Sequence, residues 1–169
     1  MKHIIQIILL ALVLQSCKEK VEISSIDPVN WGNRTITQEL PESFTKGSTY
    51  LSIYSQIYGQ TVQRTYDLTV TVSIRNTNVL DTIYLNNAKY YDTKGDLIRT
   101  YFDKTIFVAP METVEIIIDE RDKTGGTGAN FIFDWEISQS SHEPFFEAIM
   151  ISTSGQQGLS FTTQGKRIK

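Results

Sequence analysis

One segment carries more groups able to do chemistry than any other: Asp119-Glu120-Arg121-Asp122-Lys123-Thr124-Gly125-Gly126-Thr127-Gly128-Ala129-Asn130. Carboxylates lie beside a glycine-rich turn there, which suggests a nucleotide or a cation. A dinucleotide loop needs G-x-G-x-x-G between a strand and a helix, so that phosphate meets the helix N-terminus. Here Phe131 stands where the third glycine belongs, and the residues after it alternate like a strand. A Gly-Lys-Ser/Thr phosphate loop is also absent. Three readings remain. The loop is structural, its glycines permitting unusual φ. It is a candidate binding loop for a protein or glycan, formed by Asp119, Glu120, Asp122, Gly125, Gly126, Gly128 and Asn130. Or Asp119, Glu120 and Asp122 supply oxygens to Ca²⁺, although the spacing is not that of an EF-hand.

Catalytic signatures are thin, and the expectation is a non-enzymatic chain with no metal and no cofactor. Apart from His3, the only histidine is His142, in the polar stretch Ser138-Gln139-Ser140-Ser141-His142-Glu143-Pro144. No G-x-S-x-G elbow accompanies it, and Ser140 and Ser141 lie too close to it in sequence to orient independently. Two of the 19 acidic residues brought together by the fold would suffice to hydrolyse a glycan, so a small carboxylate hydrolase stays as the rival reading. The eight tyrosines offer either packing or an aromatic binding face. Tyr50, Tyr54 and Tyr58 recur at a spacing that puts them on one face of a strand. A net charge of −3 with scattered Lys and Arg excludes a basic nucleic-acid face. The terminal Lys166-Arg167 and Lys169 read as a solvated tail.

The single cysteine, Cys17, excludes an internal disulfide and a Cys/His metal site. It ends a short positive start, Met1-Lys2-His3, and an apolar run from Ile4 to Leu14. That run has the length of a signal-peptide core and is too short to span a bilayer, which takes about 20 residues. Leu14-Gln15-Ser16-Cys17 resembles the lipobox of bacterial lipoproteins. The resemblance implies cleavage before Cys17 and lipid on its sulfur, which would hold the protein to a membrane. Lys18-Glu19 in place of an Asp after the cysteine resembles export signals of the Bacteroidetes type, which implies the outer membrane. Loss of residues 1–16 removes Lys2 and leaves an acidic chain, so lipid and not charge must provide the attachment.

The elements that position these groups are strands. Residues 1–16 are expected to be signal peptide, 17–47 a lipidated cysteine and polar tether, and 48–169 the folded domain. Within the tether Trp31 is expected to pack on the domain. From Thr49 onward, short β-like runs alternate with turn residues. Leu68, Val70, Val72 and Ile74 share one face, and Phe131, Phe133, Trp135 and Ile137 share another, with Asp134 and Glu136 opposite. Asp92-Thr93-Lys94-Gly95 reads as a hairpin loop. No segment has a sustained helical period. Eight or nine strands in about 120 residues predict an all-β, antiparallel β-sandwich of immunoglobulin-like type, with a small closed β-barrel as the alternative. Trp135 is expected between the sheets.

From Tyr50 to Ile168 the chain resembles domain-of-unknown-function family 3124. The residues that carry the match are Val72-Ser73-Ile74-Arg75-Asn76-Thr77, Tyr90-Tyr91-Asp92, Gly95-Asp96-Leu97-Ile98-Arg99, Gly125 to Phe131 and Gly155 to Phe161. The resemblance implies bacterial origin and a small extracytoplasmic β domain, and it implies no activity. The expected role is a lipid-anchored envelope protein that binds a protein or glycan partner.

Overall fold

Alternation decides which face each strand buries, and the computed structural model follows it closely. Residues 29–153 and 158–169 are described; Cys17, the tether up to Pro28, and Gly155, Gln156 and Gln157 lie outside them. Among the described residues twelve strands run in chain order: β1 Thr45–Ile53, β2 Gln56–Tyr58, β3 Thr65–Asp67, β4 Thr69–Arg75, β5 Ile83–Tyr91, β6 Leu97–Phe102, β7 Ile106–Val108, β8 Thr113–Ile118, β9 Ala129–Ile137, β10 Phe145–Ser152, β11 Leu159–Gln164 and β12 Lys166–Arg167. The larger sheet has the order β12-β1-β9-β5-β6, with β7 also on β5; the smaller runs β11-β10-β4-β8. A small hairpin, β2-β3, stands apart from both. Both sheets stay open, so the fold is an antiparallel β-sandwich and not a closed barrel.

The central pairings are those of an immunoglobulin sandwich. β4 pairs β8 in one sheet and β5 pairs β9 in the other, as strands B–E and C–F do there. The outer strands differ. β1 lies beside β9, where an immunoglobulin has its last strand, and β10 lies beside β4, where it has its first.

Buried side chains from the two sheets meet in an aromatic ladder. Tyr90 stacks on Phe131 at 5.0 Å, Phe131 on Phe133 at 5.3 Å, and Phe133 reaches across to Phe146 of the smaller sheet at 4.5 Å. Each such buried ring contributes roughly 1.5–3 kcal/mol through apolar burial, before stacking is counted. Trp135 is fully buried, as expected, and its Nε1 donates to Thr49 Oγ1 at 2.9 Å. A Cβ at position 47 would lie 2.3 Å from that indole, so only glycine lets β1 pass over it.

Several expectations change in detail. β1 begins at Thr45 rather than Thr49. Upstream of it, a short 3-10 helix, Trp31–Arg34, packs on the domain. Trp31 is buried against Phe102 at 4.8 Å, and the Arg34 guanidinium forks onto Glu112 at 3.0 and 2.5 Å. Backbone pairing of Ile36 with Thr105 extends the contact. Tyr50, Tyr54 and Tyr58 do not share a face, because β1 ends at Ile53 and the chain turns into the separate β2-β3 hairpin. Tyr54 instead packs edge-on against Phe161. The C-terminal basic residues are more than a tail: β12 pairs with β1, and Arg167 lies over the Trp135 ring at 5.1 Å.

Candidate functional site

The glycine-rich loop joins β8 to β9 at one end of the sandwich, and its charged groups are tied down one by one. Asp119 accepts three hydrogen bonds from Arg121, at 2.9, 2.8 and 3.0 Å, which bring its carboxyl down to about 2. Asp122 is buried, ion-paired to Arg99 at 3.3 Å, and accepts from the Thr124 hydroxyl at 2.6 Å. Lys123 reaches Asp67 of β3 at 2.6 Å. Asp119 and Asp122 thus belong to separate contacts, and Glu120 faces solvent. Among the described residues, no three His, Cys, Asp or Glu side chains gather as a metal site.

The glycines serve close approach. Gly126 has φ +70°, and its carbonyl accepts from the backbone N–H groups of Ser55 and Gln56 at 3.1 Å. A Cβ on Gly125 would fall 2.0 Å from the Tyr90 hydroxyl, which shares a buried hydrogen bond of 2.9 Å with Ser55 Oγ. Thr93, in the Asp92–Gly95 hairpin, clamps the loop from outside: its hydroxyl donates to Gly125 O and accepts from Gly128 N. Asn130 has already joined β9, opposite Tyr91 of β5 and Ser52 of β1.

His142 and its serines sit at the opposite end. The His142 backbone N–H donates to Asn78 Oδ1 at 2.7 Å, and its carbonyl accepts from Asn78 Nδ2. Ser141 hydrogen-bonds Ser138 and donates to Asp81 Oδ2 at 3.0 Å. These contacts shape a loop.

The arrangement with most binding chemistry lies on the outer face of the larger sheet. Asp134 and Glu136 alternate along β9 with Phe133, Trp135 and Ile137, so both lie on the outer face of the sheet, Asp134 partly exposed and Glu136 buried beneath its neighbours there. β5 carries a bulge between Leu85 and Asn87, which turns two consecutive asparagines to that same face. Asn86 Nδ2 donates to Glu136 at 2.9 Å and Asn87 Nδ2 to Asp134 at 2.6 Å. From β1, the Ser48 hydroxyl also donates to Asp134, and Lys46 pairs with Glu136 at 3.4 Å. Asn87 Oδ1 is buried with no hydrogen-bond partner among the described residues. Burial pushes the Asp134 carboxyl up, but the Ser48 and Asn87 hydrogen bonds and the charges of Lys89 and Lys169 outweigh it and hold the carboxyl below its ordinary value. Lys46, Ser48, Asn86, Asp134, Glu136 and Lys169 line a groove of about 280 Å³.

Sequence alternation foretold that Asp134 and Glu136 face away from the core. It did not single them out, because two acids on a solvent face are ordinary. The missing signal was the bulge, which has no sequence mark stronger than Asn86-Asn87 itself.

Fold and groove define a β-sandwich with a polar, carboxylate-bearing sheet face. The profile of the family described as Protein of unknown function (DUF3124) matches residues 46–168, well over half of the chain, and the chain belongs to that family. Among solved structures it is similar to Thermotoga maritima 1070, at 9% identity and a TM-score of 0.45, over 71% of this chain and 92% of that one. No functionally curated protein matches.

Proposed function

We propose that this chain is a non-catalytic binding module of the bacterial cell envelope. It is held to the outer membrane by lipid on Cys17 and takes a glycan in the groove of the larger sheet. The observation that carries the reading is the pair Asp134 and Glu136, both lining the groove, Asp134 partly exposed and Glu136 only 8% exposed, and oriented by Asn86, Asn87 and Ser48. Carboxylates already fixed by amide donors accept sugar hydroxyls with little further ordering, and charge-assisted hydrogen bonds are the strong ones. Tyr84 and Tyr91 on the same face of β5 offer half-exposed rings for sugar faces. A groove of about 280 Å³ suits a small saccharide. The lipobox-like Leu14-Gln15-Ser16-Cys17 after the apolar run supports attachment through Cys17.

A hydrolase is the second reading, because paired acids in a groove are its usual equipment. It needs a general acid that holds its proton near neutrality. Asp134 is held below its ordinary value and suits an acceptor instead. A panel of envelope glycans tests both readings, with wild type, Asp134→Asn and Glu136→Gln. Binding that weakens about tenfold or more in either variant, with the glycan recovered intact, supports the module. Cleaved glycan, lost in the same variants, establishes the hydrolase. The anchor is tested by a clickable palmitate analogue, whose incorporation should vanish in Cys17→Ser.

A further inference from the structure

Val79, Leu80 and Met111 are among the most exposed large apolar side chains of the domain, at 73%, 87% and 66%. They come from two different loops of the same end, and neither loop is slack. Asn76, buried, spends its amide on the carbonyls of Asp81, Val108 and Ala109 at 2.8, 3.0 and 3.0 Å. Its Oδ1 accepts from the backbone and side chain of Asn78. Met111 N–H then donates to the Asn78 carbonyl at 3.0 Å, which joins the two loops. The Ala109–Glu112 turn has Pro110 second and Met111 third, with φ +59° at Met111. That is the type II pattern, whose third position favours glycine. A methionine is thus kept, exposed, on backbone that suits glycine better, and backbone strain of this kind concentrates where a surface has work to do.

The described chain begins at the same end. Val29, Asn30, Asn33 and Arg34 share one cavity with Ala109 and Glu112, the residues flanking Pro110-Met111. Twelve peptide steps separate Cys17 from Val29. Fully extended they reach about 40 Å, so a membrane that holds Cys17 lies within range of this end. The glycine-rich loop lies at the other. Glu112, next to Met111, is neutralised by Arg34, and the Asp81 carboxylate beside Leu80 accepts from the Ser141 hydroxyl.

We propose that Val79, Leu80 and Met111 form a membrane-docking tip that inserts into the lipid surface and fixes the domain with its glycine-rich end away from the bilayer. This rests on the reading of Cys17 as the lipid anchor. The occupant is the lipid itself, because the tip is apolar and sits where the chain from Cys17 arrives.

The single native cysteine makes the test clean. Leu80→Cys and Lys94→Cys, the latter in the hairpin at the far end, are labelled with bimane in the full-length, membrane-borne protein. Phosphatidylcholine vesicles with and without a brominated lipid serve as the quencher, and the unsubstituted chain is the blank. Quenching at position 80 should exceed that at position 94 several-fold and be insensitive to salt. A second variant, Met111→Gly in the Leu80→Cys chain, should keep or raise the melting temperature while quenching at position 80 falls. Equal, weak quenching at both positions overturns the docking tip. So does a blue-shifted bimane at position 80 that the brominated lipid fails to quench, which would mean a protein covers the tip. Two labels per chain would show Cys17 unlipidated and sink the anchor separately, while the difference between positions 80 and 94 would still decide the tip.

Discussion

Gly125→Ala tests whether the glycine-rich loop is built for the core beneath it. The new Cβ would fall 2.0 Å from the Tyr90 hydroxyl, 2.7 Å from Ser55 Oγ and 2.8 Å from the Ala129 Cβ. Ordinary contact needs about 3.4 Å or more, so the loop must lift or Tyr90 must move. Tyr90 cannot move freely, since it stacks on Phe131 at 5.0 Å. Overpacking of this kind costs about 1–3 kcal/mol. Breaking the buried Ser55–Tyr90 hydrogen bond adds about 1–3 kcal/mol more. The expected loss is therefore about 2–6 kcal/mol, a large part of the roughly 5–15 kcal/mol typical of a domain. Urea unfolding followed by tryptophan fluorescence reads it, with Trp31 and Trp135 as buried reporters. Tyr90→Phe removes the nearest clashing atom, so the double variant should be less destabilised than the two single losses added together, by about 1 kcal/mol or more. The rescue stays partial because the Ala129 contact persists. If Gly125→Ala unfolds within about 0.5 kcal/mol of wild type, or the two changes simply add, the loop is not seated on Tyr90 as described.

Burial pushes the Tyr90 hydroxyl up to about 12 from an ordinary value of 10.0, opposed by its hydrogen bond to Ser55. A raised pKa contributes stability that is fully present below pH 10 and lost as pH rises toward 12, so about 2–3 kcal/mol should drain away across that window. Urea midpoints against pH should show a shallower alkaline decline in Tyr90→Phe. Trp31→Ala should cost about 3 kcal/mol, since the indole is buried against Phe102, and limited proteolysis should then cut near Arg34. Glu112→Gln should cost less than about 1 kcal/mol by the same urea assay, because its pair with Arg34 stays partly in solvent.

The sandwich was legible because period-2 alternation is strongest where both sheets bury a face. β4 and β9 show it along most of their length, broken at Ser73 and at Glu136, which are also buried. The Asp92–Gly95 hairpin was legible too, since Gly95 does take φ +89° and Asp92 caps the turn. Three things were not. β1 hid its first residues because Gly47 replaces an apolar side chain to make room for Trp135. The docking of Trp31 and Arg34 depends on Phe102 and Glu112, far along the chain, and no local pattern announces so distant a partner. The groove depends on a bulge at Asn86–Asn87, and a bulge breaks the very periodicity by which strands are read.

The exchange of outer strands has a consequence for how this chain can fold. β1 sits inside the larger sheet, between β12 and β9, and its main partner ends only at Ile137. Whenever the polypeptide emerges N-terminus first, Leu51 and Ile53 must wait, unpaired, until most of the domain has followed. Early local hairpins such as β5-β6 cannot help, because β9 must still enter between β1 and β5. Long-range pairings of this kind close slowly, and an apolar edge left waiting is a site for aggregation. Lys166 and Arg167, which add last beside β1, therefore act as the latch of a sheet whose first strand is the last to be secured.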